Sequence, residues 1–316
     1  MAKKTIEELK AELEEAIGKL DNDTTWQEML THLATFGVKY SAANQALIYF
    51  TCMGRGITPR KVQSFNAWKA EDHWVRKDER AIWILGPVKR RLRPDEVEKY
   101  EKAWGRKIPR NEKGWSEQKY VLGFKPVPVF DVAQVHDPET VVMPEPVVQR
   151  RMVLMKGPRP ELLSGDDVTG ALPEVEHMVK AMGLDLAYVD PGILGGANGD
   201  TNGHRVRVRN DVDDAQKIKT LVHEWAHNLL GHTDPNYGYS YNRGKAECEA
   251  ESTAFVVCGA LGLDTGAYSA PYVNSWSEGK VEIIRSALDN ITTAARTMLD
   301  ALSPADDDQD ENEVSA

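Results

Sequence analysis

No run of about 18 apolar residues occurs in the chain, which leaves no candidate for a helical membrane span. The segment Met1 to Lys10 carries lysines but no apolar stretch behind them, so no secretory signal is expected and the expected location is the cytoplasm. Cysteine is scarce. Cys52, Cys248 and Cys258 are too few for a disulfide framework and lack the paired spacing of a zinc knuckle, so they are read as reduced and packed. No internal repeat is present, which argues against a solenoid. What the chain does have is core material: 41% hydrophobic residues in 316 can fill two ordinary domains or one large one.

The net charge of −10 is unevenly spread. Residues 51 to 130 hold 19 Lys and Arg against 10 Asp and Glu, a local charge of +9, so the remainder carries −19. Part of that lies in the tail Asp306 to Glu313, which has no apolar residue to bury and is expected to be disordered. Such segregation fits a polyanion-facing domain beside an acidic one, and equally a solvated basic surface.

Apolar periodicity predicts an amphipathic helix from Thr5 to Leu20. A second, capped at Asp23 or Thr24, is expected to run through Trp26, Met29, Leu30, Leu33 and Phe36, past Tyr40 toward Ile48. Short strands follow at Trp74-Val75 and at Ala81 to Leu85, the latter closed by Gly86-Pro87. A basic helix over Pro94 to Trp104 and a strand over Tyr120 to Phe130 complete this half. Prolines 138, 144, 146, 158 and 160 then mark a connection, with the boundary near 150 to 160. The second half reads as a helix from Leu172 to Met182, strands at Leu186 to Val189 and Arg205 to Arg209, and helices over Ala215 to Leu230, Lys245 to Leu261 and Lys280 to Leu302. The expected class is α+β in two domains: residues 1–150 as helices with a small antiparallel sheet, residues 160–303 as the second, and 304–316 as the acidic tail.

The chemistry concentrates in the second half. His223-Glu224-Trp225-Ala226-His227 lies inside a helical apolar stripe, and residues four apart share a helix face. Both imidazoles can therefore reach one ion, with Glu224 beside the water that the ion polarises, as general base. A catalytic zinc needs a third protein ligand and an open position. The next helix offers Glu247 and Glu251 on one inward face with Ala250, Ala254 and Cys258. An inward carboxylate pair needs a compensating charge, so Glu247 is assigned as the third ligand and Glu251 as the partner of a ligating histidine's other ring N–H. Glu249 points to a different face and is the weaker candidate. His232 either approaches the site or serves a structural role at the helix end. Tyr237, Tyr239 and Tyr241, in the expected loop between the two helices, and Arg243 are candidates for stabilising an oxyanion. The alternating strand Arg205 to Arg209 is expected to be an edge strand, either receiving an extended substrate or protected against aggregation by its arginines.

From Thr220 to Asp264 the chain resembles the ImmA/IrrE group of gluzincin-type zinc metallopeptidases, on His223, Glu224, His227, Glu247, Ala250, Ala254 and Phe255. The stretch Cys248 to Asp264 departs from the group's pattern, running on from Val256 to Asp264 without the closing Met-Pro. The first half resembles the single-stranded-DNA-binding domain of ArdC-type antirestriction proteins. That resemblance rests on Tyr40 to Gln45, Phe65 to Trp68, Trp74 to Lys77, Ala81 to Pro87 and Val129 to Gln134. Together the resemblances imply a protein of a mobile element or its host. Its N-terminal module would coat single-stranded DNA in antirestriction or DNA-transfer protection, and its C-terminal zinc endopeptidase would act on a protein or peptide substrate. Arg76, Lys77, Arg80, Arg90, Arg91 and Arg93 are the preferred phosphate contacts, and at least three of Trp68, Trp74, Trp83, Trp104 and Trp115 are expected in the core. Two other readings remain: a DNA-binding protein with purely structural zinc, and an ImmA-like endopeptidase that cleaves a repressor.

Overall fold

The computed structural model describes residues 4–143, 170–263 and 273–302. The expected domain boundary at 150 to 160 and the acidic tail lie outside these residues.

Three helices open the chain: α1 (Ile6–Gly18), α2 (Asp23–Phe36) and α3 (Ala42–Met53). Thr5 starts α1 with a reciprocal cap, Glu8 N–H donating to its hydroxyl at 3.2 Å while Glu8 Oε2 accepts from the Thr5 amide at 2.8 Å. The single long helix expected from Asp23 toward Ile48 is two helices. Gly37 at φ +88° ends α2, and Ser41 caps α3 by accepting from Asn44 N–H at 3.4 Å.

The first sheet contains β1 (Val62–Ser64), β2 (Ile82–Arg91) and β3 (Lys119–Asp131), in the order β1-β3-β2 and antiparallel throughout. Helix α4 (Phe65–Ala70) follows β1, and α5 (Pro94–Trp104) joins β2 to β3. Strand β2 does not stop at Gly86-Pro87 as expected; it runs on to Arg91 with a register shift between Pro87 and Lys89. Gly86 permits this because a Cβ there would sit 2.3 Å from Val127 Cγ2 on the paired strand. Trp74-Val75 is not a strand, and Val75 forms only an isolated bridge to Val135.

In the second half α6 (Leu172–Ala181) leads to β4 (Asp185–Val189), β5 (Gly199–Thr201) and β6 (Arg205–Arg209). Their order is β4-β6-β5, so β6 is central: parallel to β4, antiparallel to β5. The expectation that Arg205 to Arg209 forms an edge is overturned, because the short β5, with little apolar content to announce it, takes that place. Helices α7 (Asp214–Leu229), α8 (Tyr239–Ala260), α9 (Val273–Ser277) and α10 (Val281–Leu302) complete the fold, which is α+β.

The largest core joins α1, α2 and α3 to α6, β6, α7, α8 and α10. Buried residues lie on every side of α8, including Ala246, Cys248, Ala250, Ser252, Ala254, Val256 and Val257, which makes it the central helix. Its small side chains let α2 come close, so that a Cβ on Gly259 would lie 3.0 Å from Ala34 Cβ. Trp26 of α2 is fully buried and donates its indole N–H to Ser252 Oγ of α8 at 3.4 Å. Arg296 of α10 donates to the carbonyls of Val38 and Tyr40, each at 2.7 Å. The helices that precede the basic sheet in sequence are thus packed with the second half, and smaller apolar clusters fill the space around the first sheet.

Candidate metal centre

Helix α7 buries Ile218, Leu221, Val222, Trp225 and Ala226, and this apolar stripe fixes the rotation of the helix. The rotation turns His223 and His227 toward α8. Their Nε2 atoms lie 3.1 Å apart, and Glu247 Oε2 lies 3.6 Å from His223 Nε2 and 3.9 Å from His227 Nε2. Ligand atoms about 2.0–2.1 Å from a tetrahedral ion stand about 3.3 Å from one another, so this set fits a divalent metal. His223, His227 and Glu247 are the group among the described residues whose ligand atoms all fall within 4.8 Å.

The remaining contacts support this geometry. Glu251 Oε2 faces His223 Nδ1 at 3.3 Å, and its other oxygen pairs with Lys219 Nζ at 2.8 Å. His227 turns its Nδ1 to His232 Nδ1 at 3.0 Å, and His232 Nε2 meets Glu249 Oε2 at 2.9 Å. Glu249 lies on another face than Glu247, as expected, but that face is buried too, against His232 and α10. Its importance was hidden because its partner is brought in by the Gly231 turn (φ +72°). Asn290 of α10, which sequence reasoning did not single out, donates to Glu249 Oε1 at 2.8 Å.

Glu224 is 6% exposed. Burial pushes its carboxyl up to about 7 against the pull of His223. Strand β5 lies directly over it: a Cβ on Gly199 would be 3.2 Å from Glu224 Oε1 and 2.5 Å from Thr220 Cγ2. Burial opposes a charge on His223, but hydrogen bonds to Glu247 and Glu251 outweigh it and hold that imidazole up at about 10. Burial and the neighbouring His223 push His227 down to about 3. The hydrogen bond from His223 holds Glu247 down at about 2. An imidazole that holds its proton thus faces a carboxylate across 3.6 Å where a cation fits, and a metal would compete with that proton.

Of the three tyrosines only Tyr237 lies in the connection between the two ligand helices, in the turn Pro235–Tyr237, while Tyr239 and Tyr241 belong to α8, which begins at Tyr239. The Tyr239 hydroxyl donates to Glu247 Oε1. Tyr237 packs its ring 4.9 Å from that of His232, behind the site. Tyr241 is 95% exposed and is not brought to the ligands. Arg243 lies one turn before Glu247 on α8 and acts on the Tyr239 hydroxyl through its charge.

The six basic residues expected to contact phosphate divide into two groups. Arg76 donates to Glu79 Oε1 and to the carbonyls of Ala133 and Val135, at 2.6 and 3.1 Å. Arg90 makes a two-bond pair with Glu96, both at 2.7 Å, and Arg93 lies 3.4 Å from the same carboxylate. These three are tied to the protein. Lys77, Arg80 and Arg91 are exposed and make no ion pair among the described residues. Of the five tryptophans only Trp68 is fully buried and Trp83 partly packed, while Trp74, Trp104 and Trp115 are 49%, 36% and 39% exposed. The expectation of three core tryptophans is therefore corrected: the small sheet has too thin a core to cover them.

Residues 1–130 match the family model of the N-terminal domain of anti-restriction factor ArdC. An uncharacterized protein of Bacillus anthracis is 25% identical over 301 residues, covering 89% of this chain and 49% of its own length. The chain thus spans about half of that relative. The antirestriction ArdC protein from R388 plasmid, in its metal-free crystal structure, is 18% identical with a TM-score of 0.44, over 83% of this chain and 85% of that one. Its Mn(II)-bound crystal structure is 19% identical with a TM-score of 0.45, over 84% and 86%. No described helix is long and apolar enough to cross a membrane.

Proposed function

We propose that this chain is a zinc-dependent endopeptidase joined to a region that binds single-stranded DNA, acting in the cytoplasm in antirestriction or in protection of transferred DNA. The observation that carries the peptidase reading is the closure of His223, His227 and Glu247 around one point, with the buried Glu224 carboxyl beside it. Two imidazoles and one carboxylate favour zinc over harder ions. Zinc held there would act as a Lewis acid, polarising a scissile carbonyl and activating water. Glu224, with its proton affinity raised toward neutrality, suits the task of taking a proton from the attacking water and passing it to the leaving amine. Strand β5 keeps bulk water off Glu224, and the Tyr239 hydroxyl is the best placed of the oxyanion candidates.

The DNA reading is supported by the match of residues 1–130, by the local charge of +9, and by exposed aromatic rings at Phe65, Trp74 and Phe124, with Lys69 Nζ 5.5 Å from the Trp74 ring. Lys77, Arg80 and Arg91 are its preferred phosphate contacts.

The test is metal analysis and proteolysis on protein purified without chelator, with unfolded casein as substrate in the presence and absence of single-stranded DNA. Wild type should hold one zinc, His223→Ala none, and Glu224→Gln should keep the metal while hydrolysis falls about 10²–10⁴-fold. Wild type without stoichiometric metal, or His223→Ala retaining it, would sink the metal site. A silent Glu224→Gln, with chelation unfolding the second half, would leave only a structural metal. Binding to a fluorescent oligonucleotide should weaken steeply with salt, and absence of binding at low salt removes the DNA reading.

A further inference from the structure

The two ligating imidazoles are held from behind by different devices. His223 Nδ1 faces a carboxylate directly, Glu251 Oε2 at 3.3 Å. His227 Nδ1 faces another imidazole, His232 Nδ1 at 3.0 Å, and the carboxylate comes only one step later, Glu249 Oε2 at 2.9 Å from His232 Nε2. The His232 and Glu249 side chains are each 1% exposed, so their hydrogen-bonding needs must be met by protein groups.

That requirement dictates where each proton sits. Glu249 Oε1 already accepts from Asn290 Nδ2 at 2.8 Å, with Lys245 Nζ 3.5 Å away, so both neighbours are donors and the group acts as a carboxylate. A carboxylate only accepts, so His232 Nε2 carries a proton and donates it. A neutral His232 then has a lone pair at Nδ1. His227 Nδ1 must be the donor to that lone pair, and a neutral His227 with its proton on Nδ1 has its free lone pair on Nε2. Nε2 is the atom that stands 3.1 Å from His223 Nε2 and 3.9 Å from Glu247 Oε2, at the metal position. An unprotonated ring nitrogen is what a metal ligand requires.

We propose that His232, Glu249 and Asn290 form a positioning relay that fixes the tautomer of His227 and presents its Nε2 lone pair to the metal. The relay rests on the metal site proposed above but makes a claim of its own about proton placement, which is measurable without metal. None of the three residues touches the ion. They act through His227, and the direction of every bond in the chain is set at its far end by the two donors around Glu249 Oε1.

The isosteric variant Glu249→Gln reverses that direction. Asn290 and Lys245 hold the amide oxygen, so the amide NH₂ faces His232 Nε2, which must now accept. His232 then carries its proton on Nδ1, His227 Nδ1 must accept it, and the His227 proton moves to Nε2. A second variant controls for packing. His232→Gln reproduces the donor-acceptor order of the neutral ring, its amide N–H toward Glu249 and its oxygen toward His227, whereas His232→Leu offers neither.

The experiment is ring ¹⁵N NMR of the metal-free full chain with labelled histidine, together with zinc and cobalt titrations in competition with a chromophoric chelator. Wild type should show His227 protonated at Nδ1 and bare at Nε2. Glu249→Gln should show the reverse and bind either metal about 10–100-fold more weakly. His232→Gln should lie much nearer wild type than His232→Leu. A wild-type spectrum with His227 protonated at Nε2, a Glu249→Gln protein that keeps wild-type spectra and affinity, or His232→Gln as weak as His232→Leu would each overturn the relay. Wild type that binds no metal would instead overturn the proposed metal site, while the spectra of the metal-free proteins would still decide the proton order.

Discussion

The basic sheet and the α7–α8 site use charge in opposite ways. Around the sheet, arginines meet nearby carboxylates on the surface: Arg76 with Glu79, Arg90 and Arg93 with Glu96, Arg110 with Glu101. Each such pair is screened by water and contributes little. Between α7 and α8, Lys219, Glu251, His223, Glu247, His227, His232 and Glu249 are linked through shared partners and mostly withdrawn from solvent. Abundance of one sign marks a surface, whereas convergence of both signs inside the fold marks a site.

The largest expected effect tests whether the two regions are separable at all. Trp26 lies in a helix before the basic sheet, yet its indole is buried against α8. Trp26→Ala should destabilise the chain by about 3–5 kcal/mol through the cavity it leaves. If the contrast between the regions reflects two sites on one shared core, calorimetry should show metal release and unfolding shifting down together. A variant that loses DNA binding while metal retention and the upper transition stay put would show that α2 belongs with the sheet alone.

The same contrast appears between a buried histidine, His32, and the half-buried His223, and pH resolves it. Burial pushes His32 down to about 4, only partly offset by its hydrogen bond to the Gln45 side-chain oxygen at 3.0 Å. His223, less enclosed and facing two carboxylates, moves the other way. An unfolded histidine titrates near 6.5. Between about 4 and about 6.5 the unfolded chain therefore holds more protons at His32 than the folded one. Its contribution is fully present above about 6.5 and is lost as pH falls toward 4, a difference of about 3 kcal/mol. Urea melts at pH 7 and pH 4.5 should show His32→Gln losing less stability than wild type over that interval. Equal losses would mean that His32 is not buried as a neutral ring.

Two glycines sharpen the comparison further. A Cβ on Gly199 would meet Thr220 Cγ2 at 2.5 Å and the backbone oxygen of Arg207 at 2.9 Å; one on Gly86 would meet Val127 Cγ2 at 2.3 Å. A valine methyl can rotate away, and a paired strand cannot. Gly199→Ala should therefore cost about 1–3 kcal/mol and lower the proposed peptidase activity by more than the stability loss explains, because β5 must lift off Glu224. Gly86→Ala should be milder and leave hydrolysis unchanged. The reverse order would show that β5 is the more pliable of the two strands.

What could be read from the residues follows the same division. The placement of His223, Glu224 and His227 was legible because a helix fixes the spacing of its own side chains, and the inward face of Glu247 and Glu251 was legible from Ala250, Ala254 and Cys258 beside them. Strand β5 was not, since Gly199, Asp200 and Thr201 carry no alternation and pair only because β6 is already in place. The break at Gly37 was not legible either, because the apolar periodicity continues across it. The partners of Arg76 and Arg90 are only three and six residues away, and the pairs depend on the turns that bring Glu79 and Glu96 back to them. His232 and Glu249 fall between these cases, because their types suggested a site and only the turn at Gly231 and the packing of α10 decided which one.

The smallest expected effect separates tied from free cations on the sheet itself. Arg90 and Arg91 are adjacent, but Arg90 is committed to Glu96 by two bonds while Arg91 makes no ion pair among the described residues. Neutralising a cation that contacts phosphate removes about 0.7 from the slope of log K against log salt for a single strand. Arg91→Ala should therefore weaken oligonucleotide binding severalfold at low salt and flatten that slope, and Lys77→Ala should do the same. Arg90→Ala should leave the slope where it was, because its charge is already matched within the protein. Its removal would also leave Glu96 with only the more distant Arg93 guanidinium to balance it, so any loss of affinity it shows should come as added repulsion at low salt without a lost contact. Equal slope changes for Arg90→Ala and Arg91→Ala would mean that the Arg90–Glu96 pair opens to receive the strand, and the division between the two regions would then be one of availability and not of charge.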